Sequence, residues 1–278
     1  MCILAAGLIG ASVGMACKAR GAARKVFVWS RRSSTRAEAD RQNWCDAVYA
    51  TPEEAVESCD LVVICSPVEN IIPLYRAILP SLKPGGIVTD AGSTKSRICR
   101  GAEAEVNSRG VFIGSHPMAG SEKTGMKHAR ADLFWNNPCF ITPTENADHG
   151  AVEKITRFWK ALGAVPAVTS PEEHDEIVAH ISHLPHLLAT SLCTFLSGKD
   201  PHWAALSSSG LKDTTRIAAG DSAIWKSIIE TNLEEIRRAL SRYQVELQRF
   251  QEILTEGDME EMVHFLDKGK VFRDGLPR

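Results

Sequence analysis

Short apolar runs alternate with more polar segments over the first half of the chain. The runs are nearly continuous, as is typical of strands buried on both faces of a parallel sheet. They lie at residues 1–4, 26–29, 61–65, 87–89 and 111–113. Helix-start signals lie between them, such as Thr51 followed by Pro52. The alternation predicts an α/β domain with a doubly wound sheet over residues 1–150, closed by a helix and a strand over residues 151–169.

From residue 170 onward the apolar residues recur at helical spacing. Ser170 followed by Pro171 predicts the start of a helix, which Pro185 is expected to bend. Asp221 is predicted to cap the longest helix, over residues 222–255. The pattern predicts an all-helical carboxyl-terminal domain over residues 170–278.

The longest predicted helix carries an apolar seam with alternating spacings of four and three residues. Its members are Ile236, Leu240, Tyr243, Leu247, Phe250 and Leu254. Such spacing is typical of a coiled-coil-like contact, so we expect this domain to form a homodimer. The alternative is that other helices of the same chain bury the seam. A last short helix is expected after Asp258, and the chain is expected to fray from Gly269.

Composition narrows the class of partner. The 278 residues are 44% hydrophobic with a formal net charge of −2, so nothing indicates nucleic acid or an anionic membrane surface. A small-molecule ligand is the better default. The eight cysteines are scattered without a C-x-x-C pair, which favours reduced thiols. No apolar segment approaches the ~18 residues of a membrane span, and we expect a soluble cytoplasmic protein.

The first strand leads into a glycine pattern, Ala5-x-Gly7-x-x-Gly10. This lies where a Rossmann-type fold carries its dinucleotide fingerprint, with the first glycine replaced. Alanine can hold the tight turn if its φ stays negative. Four residues, Gly7, Leu8, Ile9 and Gly10, are therefore predicted to meet a cofactor pyrophosphate at the start of a helix.

The end of the second strand distinguishes NAD from NADP. An acidic residue there would select NAD, whereas this chain has Ser30, Arg31 and Arg32, which suit a 2′-phosphate. NADP is the predicted cofactor and NAD the alternative; an ordinary solvated basic turn is the structural alternative. Ser66 and Pro67, after the strand at 61–65, are expected to line the same cofactor site.

Ser93 and His116 follow two further strands and are expected to meet at one edge of the sheet. Pro117 biases His116 toward extended backbone, which places its ring. A hydroxyl and an imidazole could there flank a nicotinamide and take the proton of an alcohol as its carbon loses hydride. The alternative is that His116 merely satisfies backbone groups in a turn.

Four motifs carry a close resemblance to a known family. They are Asp90-Ala91-Gly92-Ser93-Thr94-Lys95, Gly114-Ser115-His116-Pro117-Met118-Ala119-Gly120, Ile181-Ser182-His183-Leu184-Pro185-His186 and Gly210-Leu211-Lys212-Asp213-Thr214-Thr215-Arg216. In this order they resemble the prephenate/arogenate dehydrogenase family of tyrosine biosynthesis. The resemblance implies NADP-dependent oxidative decarboxylation of prephenate to 4-hydroxyphenylpyruvate. Arogenate dehydrogenase and a dual-specificity cyclohexadienyl dehydrogenase are the alternatives.

The resemblance also implies roles for single residues. His116 accepts the proton of the ring hydroxyl, and Ser93 orients that hydroxyl and the nicotinamide. His186 and Arg216 hold a substrate carboxylate, with His183 beside them. Trp225 corresponds to a position near the substrate side chain, although a tryptophan in an amphipathic helix is as often a core residue.

Three other interpretations of the sequence differ from this one. His180, His183 and His186 share a helix face, but no acidic residue completes a zinc pattern, so no metal is expected. A β-hydroxyacid-type dehydrogenase shares the architecture but would carry a catalytic lysine on the interdomain helix. A non-catalytic NADP sensor would have no use for Ser93 and His116.

Overall fold

The structure is a computed structural model that describes residues 1–105, 109–120 and 123–276. The described residues form one eight-stranded sheet in the order β3-β2-β1-β4-β5-β6-β7-β8. The strands are β1 Cys2–Leu4, β2 Phe27–Trp29, β3 Ala47–Val48, β4 Leu61–Ile64, β5 Gly86–Asp90, β6 Gly110–Pro117, β7 Pro138–Thr142 and β8 Val165–Val168. All neighbouring strands are parallel except β6 and β7, which are antiparallel. The first six strands have the dinucleotide-binding order, so the predicted doubly wound sheet is confirmed.

Helices cover both faces of the sheet in the amino-terminal half. They are α1 Leu8–Arg20, α2 Ser33–Asp40, α3 Pro52–Val56, α4 Ile71–Ile78, α5 Ser96–Glu103 and α6 His149–Ala161. Successive residues of β1 show why the strands are apolar throughout. Ile3 packs into one core with Trp44 and Trp159, whereas Cys2 and Leu4 pack into a second core on the opposite face. Burial on both faces explains the lack of alternation in these runs.

The carboxyl-terminal half is helical, as predicted. Its helices are α7 Pro171–Val178, α8 Leu184–Ser197, α9 His202–Ala205, α10 Ser209–Thr215, α11 Ser222–Thr231, α12 Leu233–Glu256 and α13 Met259–Asp274. A π-helical turn, Ala179–His183, joins α7 to α8 immediately before Pro185. The proline has no N–H for the helical ladder, which agrees with the predicted irregularity. None of the described helices is both long and apolar enough to cross a membrane.

Two expectations about the helices are wrong. The single helix predicted over residues 222–255 is broken at Asn232, which has φ −125° and divides α11 from α12. The predicted N-cap is correct, because Asp221 accepts a hydrogen bond from the Ala223 amide at 2.8 Å. The chain does not fray at Gly269, since α13 continues to Asp274. An interior glycine costs only about 1 kcal/mol in a helix, and a Lys270–Asp274 ion pair lies on the last turn.

The chain divides into two compact units, Met1–Leu233 and Glu234–Arg278. The first contains the whole sheet and the helices α1–α11. In the second, an Arg249–Glu261 ion pair and a stacked Phe250–Phe265 pair join α12 to α13. The predicted domain boundary at residues 169/170 stays a prediction.

Ala5 corrects one backbone expectation. Its φ is +75°, so it adopts the left-handed conformation that the first glycine of the fingerprint normally supplies. The turn is needed because β1 must pass directly into α1, and the Ala5 amide donates to the Trp29 carbonyl at 2.8 Å. Alanine pays about 1–2 kcal/mol for that conformation.

We therefore expect Ala5→Gly to raise the free energy of unfolding. The relief of strain exceeds the added entropy of the unfolded chain, so the net gain is about 0.5–1 kcal/mol. Urea unfolding of the two proteins measures it. Ala6→Gly is the matched control, because Ala6 is buried and outside the left-handed region. This substitution should lower the free energy of unfolding by about 0.5–1 kcal/mol. Equal destabilisation by both substitutions would contradict the strain assignment.

Candidate active site

His116 lies at the carboxyl end of β6 and is 9% exposed. Extended backbone is imposed there from both sides, since Pro117 follows it and β7 pairs with it, placing Phe140 opposite His116. The next residues, Met118 to Gly120, leave the sheet toward the glycine loop after β1 and line a cavity with Leu8. The predicted position of His116 at the ligand-binding edge of the sheet is thus what the structure has.

A fully buried ion pair between Asp90 and Lys95 fixes the loop beside His116. The Lys95 ammonium contacts the Asp90 carboxylate and donates to the Ser115 carbonyl at 3.0 Å. The same carboxylate accepts from the Ser115 amide at 3.0 Å and from the Gly92 amide at 2.8 Å. The loop that carries Ser93 is therefore bound to the residue that precedes His116.

Ser93 lies in this loop, three residues past the end of β5, and is half-buried. Its hydroxyl forms no hydrogen bond with a residue in the described part of the chain, so it is available to a ligand. The structure brings the loop of Ser93 and the strand of His116 to the same sheet edge, as predicted, because β5 and β6 are parallel neighbours. No hydrogen bond joins Ser93 to His116 among the described residues.

His116 belongs to a buried series of hydrogen bonds that the sequence did not predict. Its Nδ1 lies 2.9 Å from Nε2 of His174, and Nδ1 of His174 lies 2.8 Å from Oδ1 of Asp175. The Asp175 carboxylate also accepts from the backbone amides of Lys95 at 2.7 Å and Ser96 at 2.9 Å, at the start of α5. Asp175 thereby joins the first turn of α5 to α7, and His174 joins α7 to His116.

Burial keeps His116 uncharged. It lowers the pKa of His116 well below the ordinary value, and the neighbouring His174, Lys95 and His183 lower that pKa further. An imidazole with a lowered pKa is neutral near pH 7 and can accept a proton. The arrangement suits a general base at a sheet edge.

A second cluster surrounds His183 and His186 on the π-turn and α8. Nδ2 of Asn232 donates to the Asp175 carbonyl at 2.8 Å and lies 3.2 Å from Nδ1 of His183. His186 stacks on Trp225 with ring centroids 3.4 Å apart. The contact with Trp225 crowds Gly220, where a Cβ would lie 2.6 Å from the indole nitrogen. Three residues of the predicted site, His183, His186 and Trp225, therefore form one cluster. Asn232, at the break between α11 and α12, joins it through its contact with His183.

His180 does not join this cluster. It is half-exposed, and its Nδ1 donates to the Glu176 carbonyl at 2.8 Å. Within the described ranges, no three or more His, Cys, Asp or Glu side chains are grouped to hold a metal ion.

A cavity of about 460 Å³ lies beside the glycine loop and the segment that follows His116. It is rich in basic side chains and includes the predicted anchor Arg216. The lining residues are Leu8, Met118, Ala119, Gly120, Lys123, His128, Arg130, Leu133, Asn137 and Arg216. Such a lining favours an anionic ligand.

The glycine loop fits a bound pyrophosphate. Gly7 is the N-cap of α1 without a side-chain cap, and a Cβ there would meet nothing within 4 Å. The helix amides are therefore open to an anion. At Gly10 a Cβ would lie 2.4 Å from the Ala5 carbonyl oxygen, so glycine is needed where helix and loop pack.

The residues predicted for the ribose have different positions. The Ser30 hydroxyl is buried and accepts from the Ala6 amide at 2.9 Å, so it holds the glycine loop. Arg31 and Arg32 are exposed at the start of α2. Arg36, which the sequence pattern did not indicate, donates to the Ser30 carbonyl at 2.6 Å. Ser66 and Pro67 follow β4 at the same sheet edge.

The low pKa of His183 predicts an acid-sensitive fold. Burial lowers that pKa from 6.5 to about 4, opposed by Asp175 and assisted by His174 and His186. Below pH 6.5 the unfolded chain binds a proton that folded His183 refuses, so stability is lost as the pH falls toward 4. Between pH 7 and pH 4.5 we expect His183 to contribute a loss of about 2–3 kcal/mol.

Urea unfolding of His183→Gln at both pH values measures this contribution. The variant should lose about 2–3 kcal/mol less than the native protein over that interval. His180→Gln, on the half-exposed neighbour, is the matched control and should keep the native dependence. Identical pH dependence in His183→Gln and the native protein would contradict the prediction.

Family models match both parts of the chain. The model described as the prephenate dehydrogenase nucleotide-binding domain matches residues 13–168. The model described as the prephenate dehydrogenase dimerization domain matches residues 170–268. The resemblance inferred from the four motifs is thus confirmed.

Individual relatives agree over nearly the whole chain. The prephenate dehydrogenase of Bacillus subtilis is 30% identical over 275 residues, which are 98% of this chain and 74% of the relative. The crystal structure of prephenate dehydrogenase from A. aeolicus with hydroxyphenyl propionate and NAD+ has a TM-score of 0.91 at 28% identity. The match covers 98% of this chain and 96% of that one. Arogenate dehydrogenase from Synechocystis has a TM-score of 0.84 at 27% identity, covering 98% of each chain. Because the family models match both halves of the chain and a relative is 30% identical over nearly all of it, this chain belongs to the prephenate dehydrogenase family of oxidoreductases.

Proposed function

We propose that this chain catalyses the NADP-dependent oxidative decarboxylation of prephenate to 4-hydroxyphenylpyruvate. The observation that carries the proposal is a neutral, buried His116 at the sheet edge, followed in sequence by Met118 to Gly120, which line a basic cavity together with Leu8 at the start of α1. Prephenate is an alcohol with two carboxylates, so its oxidation needs a base for the hydroxyl and cations for the acid groups.

His116 takes the proton of the C4 hydroxyl while the C4 hydrogen departs as hydride. The nicotinamide cofactor, when bound, supplies the hydride acceptor. Ser93 orients the hydroxyl from the neighbouring loop. The ring carboxylate then leaves as carbon dioxide, its bonding electrons restore the aromatic ring, and the ring oxygen recovers a proton from His116. The balance is one prephenate and one oxidised cofactor to 4-hydroxyphenylpyruvate, carbon dioxide and reduced cofactor.

Arg216 is the proposed anchor for a substrate carboxylate, because a guanidinium can bind it through two parallel hydrogen bonds. It lines the basic cavity. His186 and Trp225, stacked face to face, would form one wall for the substrate side chain, and His183 lies behind them at 6.0 Å from the Trp225 ring. The stack keeps His186 from rotating away.

NADP is the proposed cofactor and NAD the alternative. In support of NADP, Arg31 and Arg32 are exposed at the end of β2 where the ribose of a bound dinucleotide lies. In support of NAD, the similar A. aeolicus structure contains NAD+.

The alternative substrate is arogenate, alone or together with prephenate. The two compounds differ only in an amino or keto group on the side chain. His186 in the His183–His186 motif resembles prephenate-preferring members, whereas Ser30 followed by Arg31 resembles arogenate users, and one similar structure is an arogenate dehydrogenase. We place prephenate first.

We also propose a homodimer of cytoplasmic enzyme that acts on a small molecule, without nucleic acid or membrane partners. The matched dimerization domain supports the dimer. Three leucines of the predicted seam, Leu240, Leu247 and Leu254, are 37%, 46% and 55% exposed in the single chain. Burying them would gain about 25 cal/mol for each Å² of apolar surface.

Absorbance at 340 nm tests the activity, with prephenate and arogenate each combined with NADP+ and NAD+. We expect reduction with prephenate and NADP+, and a kcat about 10²–10⁴-fold lower in His116→Asn with KM nearly unchanged. Activity with arogenate alone would overturn the substrate assignment. Silence in all four combinations, from folded protein that binds NADP+, would favour the sensor instead.

Arg31→Ala tests the cofactor assignment. Loss of a charge-assisted hydrogen bond to the 2′-phosphate should raise the KM for NADP+ about tenfold or more and leave that for NAD+ within about twofold. Initial rates measure both constants. Arg41→Ala removes an exposed arginine from the other end of α2 and should change neither. Unchanged constants in Arg31→Ala would remove this residue from the cofactor site.

A further inference from the structure

Two buried residues behind His116 have no part in the mechanism above. His174 is fully buried on α7, and its ring packs edge-on against Phe140, with centroids 5.0 Å apart. Asp175 is 2% exposed and accepts hydrogen bonds from the Lys95 and Ser96 amides and from His174. Both are shielded from solvent, and His174 contacts the proposed base, His116, directly.

The hydrogen bonds that run from His116 through His174 to Asp175 have one consistent direction. An ionised carboxylate can only accept, so Nδ1 of His174 must carry its proton and donate it to Asp175. A neutral His174 then has a bare Nε2, which accepts. The group that donates to it at 2.9 Å is Nδ1 of His116. His116 therefore carries its proton on Nδ1 and has a lone pair on Nε2.

This direction requires an ionised Asp175 and a neutral His174, and the surroundings favour both states. Burial alone would raise the pKa of Asp175, but hydrogen bonds from His174, Ser96 and Lys95 outweigh it, and the pKa is lowered. Burial and the nearby Lys95 together lower the pKa of His174 more than Asp175 and Asp90 raise it. The other charged groups that face these three hydrogen-bonded residues are Lys95 and Asp90, which form an ion pair.

We propose that His174 and Asp175 are positioning residues that fix His116 as the Nδ1–H tautomer and so leave Nε2 as the base. The catalytic consequence rests on the proposed function; the tautomer itself does not. When the substrate O–H bond breaks, a new N–H bond forms at Nε2, and His116 becomes a cation. Its Nδ1–H then donates to His174, and the Asp175 charge stabilises the cation through the neutral ring without taking a proton.

Nitrogen-15 NMR of the labelled protein tests the tautomer directly. A bare ring nitrogen and an N–H nitrogen have well-separated chemical shifts, and His116→Asn identifies the signals. We expect His116 and His174 each to have a protonated Nδ1 and a bare Nε2 near neutral pH. A protonated Nε2 on His116 would overturn the proposal, whether or not the protein turns over prephenate.

Two substitutions of His174 test the consequence. His174→Phe keeps a ring against Phe140 but removes the acceptor, so His116 should shift to its Nε2–H tautomer and kcat should fall about 10- to 10²-fold with KM nearly unchanged. His174→Gln retains an amide oxygen that can accept from His116, and it should recover most of the rate and of the Nδ1–H signal.

His180→Phe is the matched control, because that half-exposed histidine on the adjoining turn bonds only to a backbone carbonyl among the described residues. It should change neither the kcat nor the His116 signals. A native kcat in His174→Phe, or equal losses in the Phe and Gln variants with the His116 tautomer unchanged, would contradict the proposal. If His174→Phe fails to fold, the native spectrum and His174→Gln still decide it.

Discussion

The buried ion pair between Asp90 and Lys95 is the interaction on which the site depends. Both side chains are fully excluded from solvent, where an unpaired charge is strongly unfavourable, and removal of one partner from such a pair costs about 3–5 kcal/mol. Both groups also bind the Ser115 backbone, and the carboxylate accepts from the Gly92 amide as well. The pair therefore specifies a geometry: the loop of Ser93 can take only the position in which it meets the strand that carries His116.

Lys95 also connects the sheet to the helical half. Its ammonium binds Asp90 on β5, while its backbone amide binds Asp175 on α7, so one residue joins both parts of the site. Asn232 extends the connection, since it donates to the Asp175 carbonyl and contacts His183. The break between α11 and α12 and the π-turn before Pro185 are local departures from regular helix, and both occur where a side chain of this cluster is placed. Irregular helix geometry of this kind is frequent at functional sites.

The sequence predicted six of the eight described strands, because burial on both faces leaves continuous apolar runs, and it placed Ser93 and His116 at one edge because parallel strands end there. It did not predict the two-residue edge strand β3 or the antiparallel strand β7. It did not predict His174 and Asp175 as partners of His116. Their contact joins residues 58 positions apart, and no periodicity reports such a pair; an adjacent His and Asp within a helix was the only signal. Ala5 and Asn232 were misjudged for another reason. Tertiary contacts there override local preference, which favours negative φ for alanine and a continuous helix through Asn232.

The resting charges around His116 explain how a base can be ready without being protonated in advance. Burial, His174 and the nearby Lys95 all lower its pKa, and the matching anion, Asp175, is separated from it by the ring of His174. A carboxylate in direct contact would instead favour the charged imidazolium before substrate binds. With the neutral ring between them, Asp175 orients His116 at rest and stabilises positive charge only once it develops. The separation of Asp175 from His116 is thus as important as the presence of the Asp175 charge.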